Sequence, residues 1–252
     1  DQCLLQIRSI ELELGLKLTF FEITFLVACL TAHREQASFF IVETGLGGRY
    51  DATRILPADA AVITSLSLEH RDILGDTLAE ISAEKAAIAR PGKPLIVRQI
   101  NDEDAISAIE FEATNAGISA LGEAFGPADL NWIEIPDGAT FQQEALLLAK
   151  GVFGCFNLNT DDLQASVRSL RWPGRFQEIS TEWEASMLVD AAHNPSGLAR
   201  ILPQLKNRIE QHPNWTLVFG CTPQYDLHAF SQPLIDLCHT YPPQNIVLTK
   251  PQ

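Results

Sequence analysis

The chain is short of positive charge. Against 32 Asp and Glu it sets only 18 Lys and Arg, a formal net charge of −14 over 252 residues. Nucleic acid and anionic membranes both demand basic surface, so neither is expected as a partner. Small anionic substrates remain open, because a local cluster of Arg, Lys and a cation can offset the overall field. Cysteine is sparse: Cys3, Cys29, Cys155, Cys221 and Cys238 are odd in number, scattered, and form no Cys-x-x-Cys pair. That argues against a disulfide framework or a zinc site and fits a reducing, cytoplasmic setting. No apolar run approaches the roughly 20 residues that span a bilayer, and the opening Asp1-Gln2-Cys3-Leu4-Leu5-Gln6 lacks the basic region of a signal peptide. Internal repeats and low-complexity tracts are absent. With 46% hydrophobic and 20% charged residues, the chain is globular rather than disordered. It is long enough for one large domain or two moderate ones.

Helical and strand patterns alternate along it. A helix is expected near 19–34, with Phe21, Phe25 and Cys29 at spacings of four, then strands near 39–43 and 60–65. Thr77 and Glu80 form a capping box opening a helix that Pro91-Gly92 closes. A strand follows at 95–97 and a helix at 102–116; residues 118–140 are weakly patterned, with a strand at 132–135. Helices are expected at 144–153 and 161–170. Beyond Trp172-Pro173-Gly174 the alternation restarts: strand 187–190, helix 196–209, strand 216–220, helix 227–237, strand 245–249. Such alternation predicts an α/β fold with a mostly parallel sheet. It divides into a first domain at 1–172 and a smaller Rossmann-like one at 173–252.

Two segments concentrate chemistry. The apolar run 39–42 ends on Glu43 and breaks into a loop with Gly45, Gly47 and Gly48. Ligands collect at the carboxyl ends of strands in open α/β sheets, a carboxylate there suits Mg²⁺, and glycines let backbone approach a phosphate. An ordinary glycine turn would read the same way. The second strand ends near Ser65, and a polar cluster containing His70 follows. Lys85 lies between Ile81 and Ile88 on the apolar face of the capped helix. A lysine there either snorkels to the surface or serves a charged site.

With these residues in view the chain resembles the folylpolyglutamate synthase / dihydrofolate synthase family of Mur-ligase-like, ATP-dependent amide ligases. The matching stretches are 18–22 (LTFFE), 42–53 (VETGLGGRYDAT), 63–70 (ITSLSLEH), 74–78 (LGDTL), 84–88 (EKAAI), 90–92 (RPG), 172–176 (WPGRF) and 190–195 (DAAHNP), in the family's order. The resemblance implies that Glu43 and His70 hold a catalytic Mg²⁺, with two ions in the full enzyme. It also implies that Lys85 joins them, carried as a carbamate formed with CO₂. It assigns ATP contacts to Arg175, Asp190, Gly47, Gly48 and Gln142, and the incoming amino acid to His193 and Asn194. The implied activity is ATP-dependent addition of L-glutamate to a folate or dihydropteroate carboxylate through an acyl phosphate, by a monomer.

The chain departs from the family in three respects. The family's phosphate loop, Gly-x-x-x-x-Gly-Lys-Ser/Thr, occurs nowhere in it. The chain is therefore expected to be a fragment, inactive alone, that lacks that loop and the C-terminal end. Ala145 stands where an adenine-facing Asn belongs, in 141–146 (FQQEAL), and region 118–140 is shorter than the family's. Another Mur-type amino-acid ligase, or a degenerate nucleotide- or folate-binding protein without catalysis, are the alternative readings.

Overall fold

The structure, a computed structural model, describes residues 2–116, 126–182, 185–221 and 226–249. The chain forms two compact units, Asp1–Ile133 and Glu134–Gln252.

In the first unit, helices α1 (Gln2–Leu14) and α2 (Phe20–Arg34) precede β1 (Ala61–Ile63), α3 (Arg71–Leu74), α4 (Leu78–Ala86), β2 (Pro94–Arg98), α5 (Glu103–Thr114) and β3 (Asp129–Ile133). The three strands run parallel in the order β1-β2-β3, with Ala61 opposite Leu95 and Val97 opposite Trp132. Leu95, Ile96 and Val97 are fully buried, which is why this stretch occupies the centre of the sheet. Each such side chain contributes about 1.5–3 kcal/mol on leaving water. Ala86 at the end of α4, Ala89 just beyond it, and Ile109 and Ala113 of α5 pack against it. The expected Thr77–Glu80 capping box is present and an unanticipated one, Thr19–Glu22, opens α2: the Thr19 and Thr77 hydroxyls accept the Glu22 and Glu80 amides, and the two glutamates reach back to the cap amides.

In the second unit come α6 (Phe141–Cys155), α7 (Leu163–Ser169), β4 (Gln177–Ser180), β5 (Ser186–Val189), α8 (Pro195–Gln211), β6 (Thr216–Gly220), α9 (Leu227–Thr240) and β7 (Asn245–Thr249). Strands β6 and β7 are parallel, whereas β4 and β5 form an antiparallel pair. Ile209, Leu234 and Leu237 form a small core with Leu202, Leu205, Trp215 and Phe219 packed on it.

The α/β class with parallel sheets is as expected, and several elements differ in detail. The expected strand at 39–43 has no ladder partner among the described residues. Ile41 is 95% and Phe39 74% exposed; an apolar run becomes a strand only where a neighbour supplies its hydrogen bonds. Strand β3 begins earlier than its expected 132–135, and α6 is longer than 144–153. Strand β4 and the short α3 were not anticipated. The division between the two compact units falls after Ile133. Helix α6 is bound into the second unit by an ion pair from its buried Glu144 to Arg200 of α8, a contact made 56 residues away in sequence.

Candidate functional site

The glycine loop is fixed at both ends by one carboxylate. Asp51 Oδ2 accepts the Gly45 and Leu46 amides at 2.8 and 2.9 Å, while Oδ1 accepts the Thr53 amide at 2.9 Å and its hydroxyl at 2.6 Å. Burial alone would push the Asp51 carboxyl up, but these four bonds outweigh it and hold it below its ordinary value. A lowered carboxyl pKa stabilises the fold above the unfolded value, near 3.9, and that contribution fades as pH falls through the folded value. Asp51→Asn is therefore expected to lose about 2 kcal/mol at pH 7. The gap to wild type should narrow as pH falls below about 4 and close only below the lowered folded value, where the wild-type carboxyl protonates. Denaturant melts at pH 7 and pH 3 check this, and a gap independent of pH would contradict it.

The glycines are required by packing. Gly47 sits at φ +64°, where a side chain is strained. Gly48 is pressed onto the last turn of α4: a Cβ there would lie 2.8 Å from the carbonyl oxygens of Glu84 and Lys85.

Lys85, on the same turn of α4, lines a cavity of about 80 Å³ with Thr44 and Gly47 of the loop and Thr64 and Ser65 at the end of β1. Lys85 is half-buried, and among the described residues its ammonium has no hydrogen-bond or ion-pair partner. A cation, two hydroxyl threonines, a serine and glycine backbone around a small cavity suit an anion of phosphate size. Sequence reasoning passed over Thr44, Thr64 and Ser65, although the polar break after the apolar Ala61–Ile63 was a usable signal.

The structure does not bring all the expected metal ligands to this cavity. Glu43 is exposed and lines a separate apolar groove of about 200 Å³ with Phe21, Phe25 and Phe40. His70 is exposed, adopts the left-handed conformation at φ +51° before α3, and lines neither cavity. Among the described residues no three His, Cys, Asp or Glu gather around one point. The described residues alone offer no cage for a cation. Mg²⁺ does not need one, since it takes one or two carboxylates and completes its shell with water and substrate phosphates.

In the second unit, Asp190 accepts two backbone amides, Phe176 through Oδ2 and Ala192 through Oδ1, both at 2.8 Å. The first of these bonds ties down Phe176, which sits at φ +45°, a conformation that costs a non-glycine residue about 1–3 kcal/mol. A carboxylate has about four acceptor positions, so Asp190 keeps capacity for a further donor. Arg175, the residue before Phe176, is exposed, and its side chain has no partner among the described residues. His193 is exposed, with Nδ1 3.1 Å from the Ala191 carbonyl oxygen. Asn194 caps α8, its Oδ1 accepting the Gly197 amide at 2.6 Å ahead of Pro195 at the helix start. Gln142 is exposed on the first turn of α6, where its neighbour Gln143, not Gln142, closes the capping box with Thr140.

No family model matches the chain. Curated relatives do. Dihydrofolate synthetase of Saccharomyces cerevisiae is 28% identical over 98% of the chain, which spans 62% of that protein. Dihydrofolate synthase/folylpolyglutamate synthase of Escherichia coli is 32% identical over 76% of the chain, which spans 47% of it. Among solved structures, a folylpolyglutamate synthase from Thermotoga maritima superposes with a TM-score of 0.74 at 16% identity, over 99% of this chain and 68% of that one. An FPGS–AMPPCP–folate complex reaches 0.75 at 17% identity, over 97% and 71%. At such identities the structural matches speak for the fold alone. The sequence relatives, whose lengths the chain spans only in part, agree with the ordered motifs, and the chain belongs to the folylpolyglutamate synthase / dihydrofolate synthase family.

Proposed function

We propose that this chain contributes to an ATP-dependent ligase that joins L-glutamate to the carboxylate of a folate or dihydropteroate. The observation that carries this reading is the small polar cavity where Lys85, without a partner among the described residues, meets the glycine loop. The relatives named dihydrofolate synthase and folylpolyglutamate synthase support the substrate class.

The chemistry follows from the substrates. A carboxylate oxygen takes the γ-phosphoryl group of ATP, and ADP leaves. The glutamate amine then attacks the acyl carbon, the C–N bond forms, the C–O bond to phosphate breaks, and the amine's proton passes to water. Lys85 pairs with the phosphoryl group while it transfers, where negative charge is greatest. Alternatively, the Lys85 ammonium gives up one proton to water and the neutral amine adds CO₂, forming an N–C bond and releasing a second proton; the resulting carbamate would serve as a metal ligand. Glu43 and His70 are the proposed protein ligands for Mg²⁺, which when bound with the nucleotide would neutralise charge on the transferred group. Arg175 offers its planar fork to the ATP phosphates, and the spare acceptor capacity of Asp190 takes a ribose hydroxyl. Gly47 and Gly48 give backbone access to phosphate, Gln142 faces the base, and His193 and Asn194 attend the incoming amino acid. In this reading Trp172–Gly174 joins the family's two domains, 1–172 and 173–252, and the protein acts as a monomer.

The test is ADP formation by the full-length gene product. It should require both L-glutamate and a folate-type acid; nucleotide binding without turnover would favour the non-catalytic reading that Ala145 suggests. In the same assay, Arg175→Ala should raise the KM for ATP about tenfold, the loss of one hydrogen bond to a charged group. The KM for the folate-type acid should move little. A change confined to the folate-type acid would remove Arg175 from the nucleotide site.

A further inference from the structure

Arg49 lies inside the glycine-loop motif yet has no part in the chemistry above. Its guanidinium reaches two other elements at once. Nε donates to Glu84 Oε1 of α4 at 2.7 Å, and Nη2 donates to Glu112 Oε1 of α5 at 2.6 Å. Nη2 also lies 3.4 Å from the Ala83 carbonyl oxygen, and the Arg49 amide donates to the Glu84 carbonyl at 3.0 Å. Arg54 adds a parallel tie, donating from Nε to the Ala87 carbonyl and from Nη1 to that of Arg49 itself. Arg49, Glu84 and Glu112 are each only partly exposed, so these pairs are less screened than surface ones.

We infer that Arg49 is a positioning residue, fixing the glycine loop to α4 and α5 and so setting where Lys85 stands against Gly47. Glu84 is the residue before Lys85. Holding its side chain and its carbonyl together fixes the rotation of that helical turn about its axis. Gly48, pressed on the Glu84 and Lys85 carbonyls, lets the loop come close enough for Arg49 to reach. A lysine cannot replace this arrangement: it offers one point charge, and the fork must serve two carboxylates and a carbonyl. Without the guanidinium, Glu84 and Glu112 are left partly buried without their cation, which pushes α4 and α5 apart.

This inference rests on Lys85 being the working cation of the proposed ligase, but its test does not. In the full-length gene product, Lys85 and Lys93 are acetylated competitively with isotope-coded acetic anhydride, well below the melting temperature, and read by peptide mass spectrometry. Lys93 pairs with Asp59 on the surface and serves as the internal control. Arg49→Lys should raise the Lys85-to-Lys93 labelling ratio roughly threefold or more, as the loop opens locally. Glu112→Gln, which keeps the Glu84 bond and folds more readily, should shift the ratio the same way by less. An unchanged ratio in both variants overturns the inference, as does an equal rise at both lysines, which would mean general loosening. If wild type makes no ADP while the ratio still responds to Arg49, the ligase reading fails and the positioning role stands. If wild type turns over and the ratio is constant, the reverse holds.

Discussion

Gly48→Ala is expected to destabilise the protein by about 2 kcal/mol, while Gly154→Ala is expected to stabilise it by about 0.5–1 kcal/mol. The same substitution takes opposite signs because of what each new Cβ meets. At Gly48 it meets Ile88 Cγ2 at 2.7 Å and the Glu84 and Lys85 carbonyl oxygens at 2.8 Å. Ile88 has some freedom to move, but the carbonyls belong to the turn that carries Lys85, so the loop must lift off α4. Overpacking of this kind costs about 1–3 kcal/mol, and about 2 kcal/mol is a fall in melting temperature of roughly 4–8 °C at 2–4 °C per kcal/mol. Gly154 lies exposed in α6, with nothing within 4 Å of a new Cβ. There alanine only removes conformational freedom from the unfolded chain. Thermal melts of the two variants decide the matter, and a neutral Gly48→Ala would mean that the loop does not bear on α4.

Lys85→Met is expected to reduce ATP-dependent turnover of the full-length gene product at least about hundredfold, the usual cost of one lost contact to developing charge. Its melting temperature should stay level or rise. A half-buried ammonium without a partner among the described residues contributes charge at a desolvation cost, and methionine keeps most of the packing without that charge. Function and stability then move in opposite directions, as they do where a site is held at the expense of the fold. Retained turnover would remove Lys85 from the site, and a collapse in stability would make it a structural residue.

Local signals carried most of the fold. The Thr77–Glu80 capping box is legible because both partners lie within one turn, and the strands at 216–220 and 245–249 coincide with β6 and β7. What escaped depends on distant partners. The run at 39–43 has strand composition, yet a ladder needs a neighbour that composition cannot name. The Glu144–Arg200 pair that draws α6 into the second unit spans 56 positions. At the site, motif order put forward Glu43, His70 and Lys85 as candidates. It could not say that Glu43 and Thr44, adjacent in sequence, line different cavities, with Thr44 the one beside Lys85. Arg49 was hidden for the same reason: its partners Glu84 and Glu112 lie 35 and 63 residues away.

The most direct test of the proposed chemistry follows an oxygen atom. The folate-type acid, labelled with ¹⁸O in its reacting carboxylate, is turned over by the full-length gene product with ATP and L-glutamate, and the released phosphate is analysed by mass spectrometry. Formation of an acyl phosphate moves one carboxylate oxygen into the phosphate, so each phosphate released should carry one ¹⁸O. Phosphate free of label would mean that ATP is cleaved without activating the carboxylate, and would contradict the ligase mechanism.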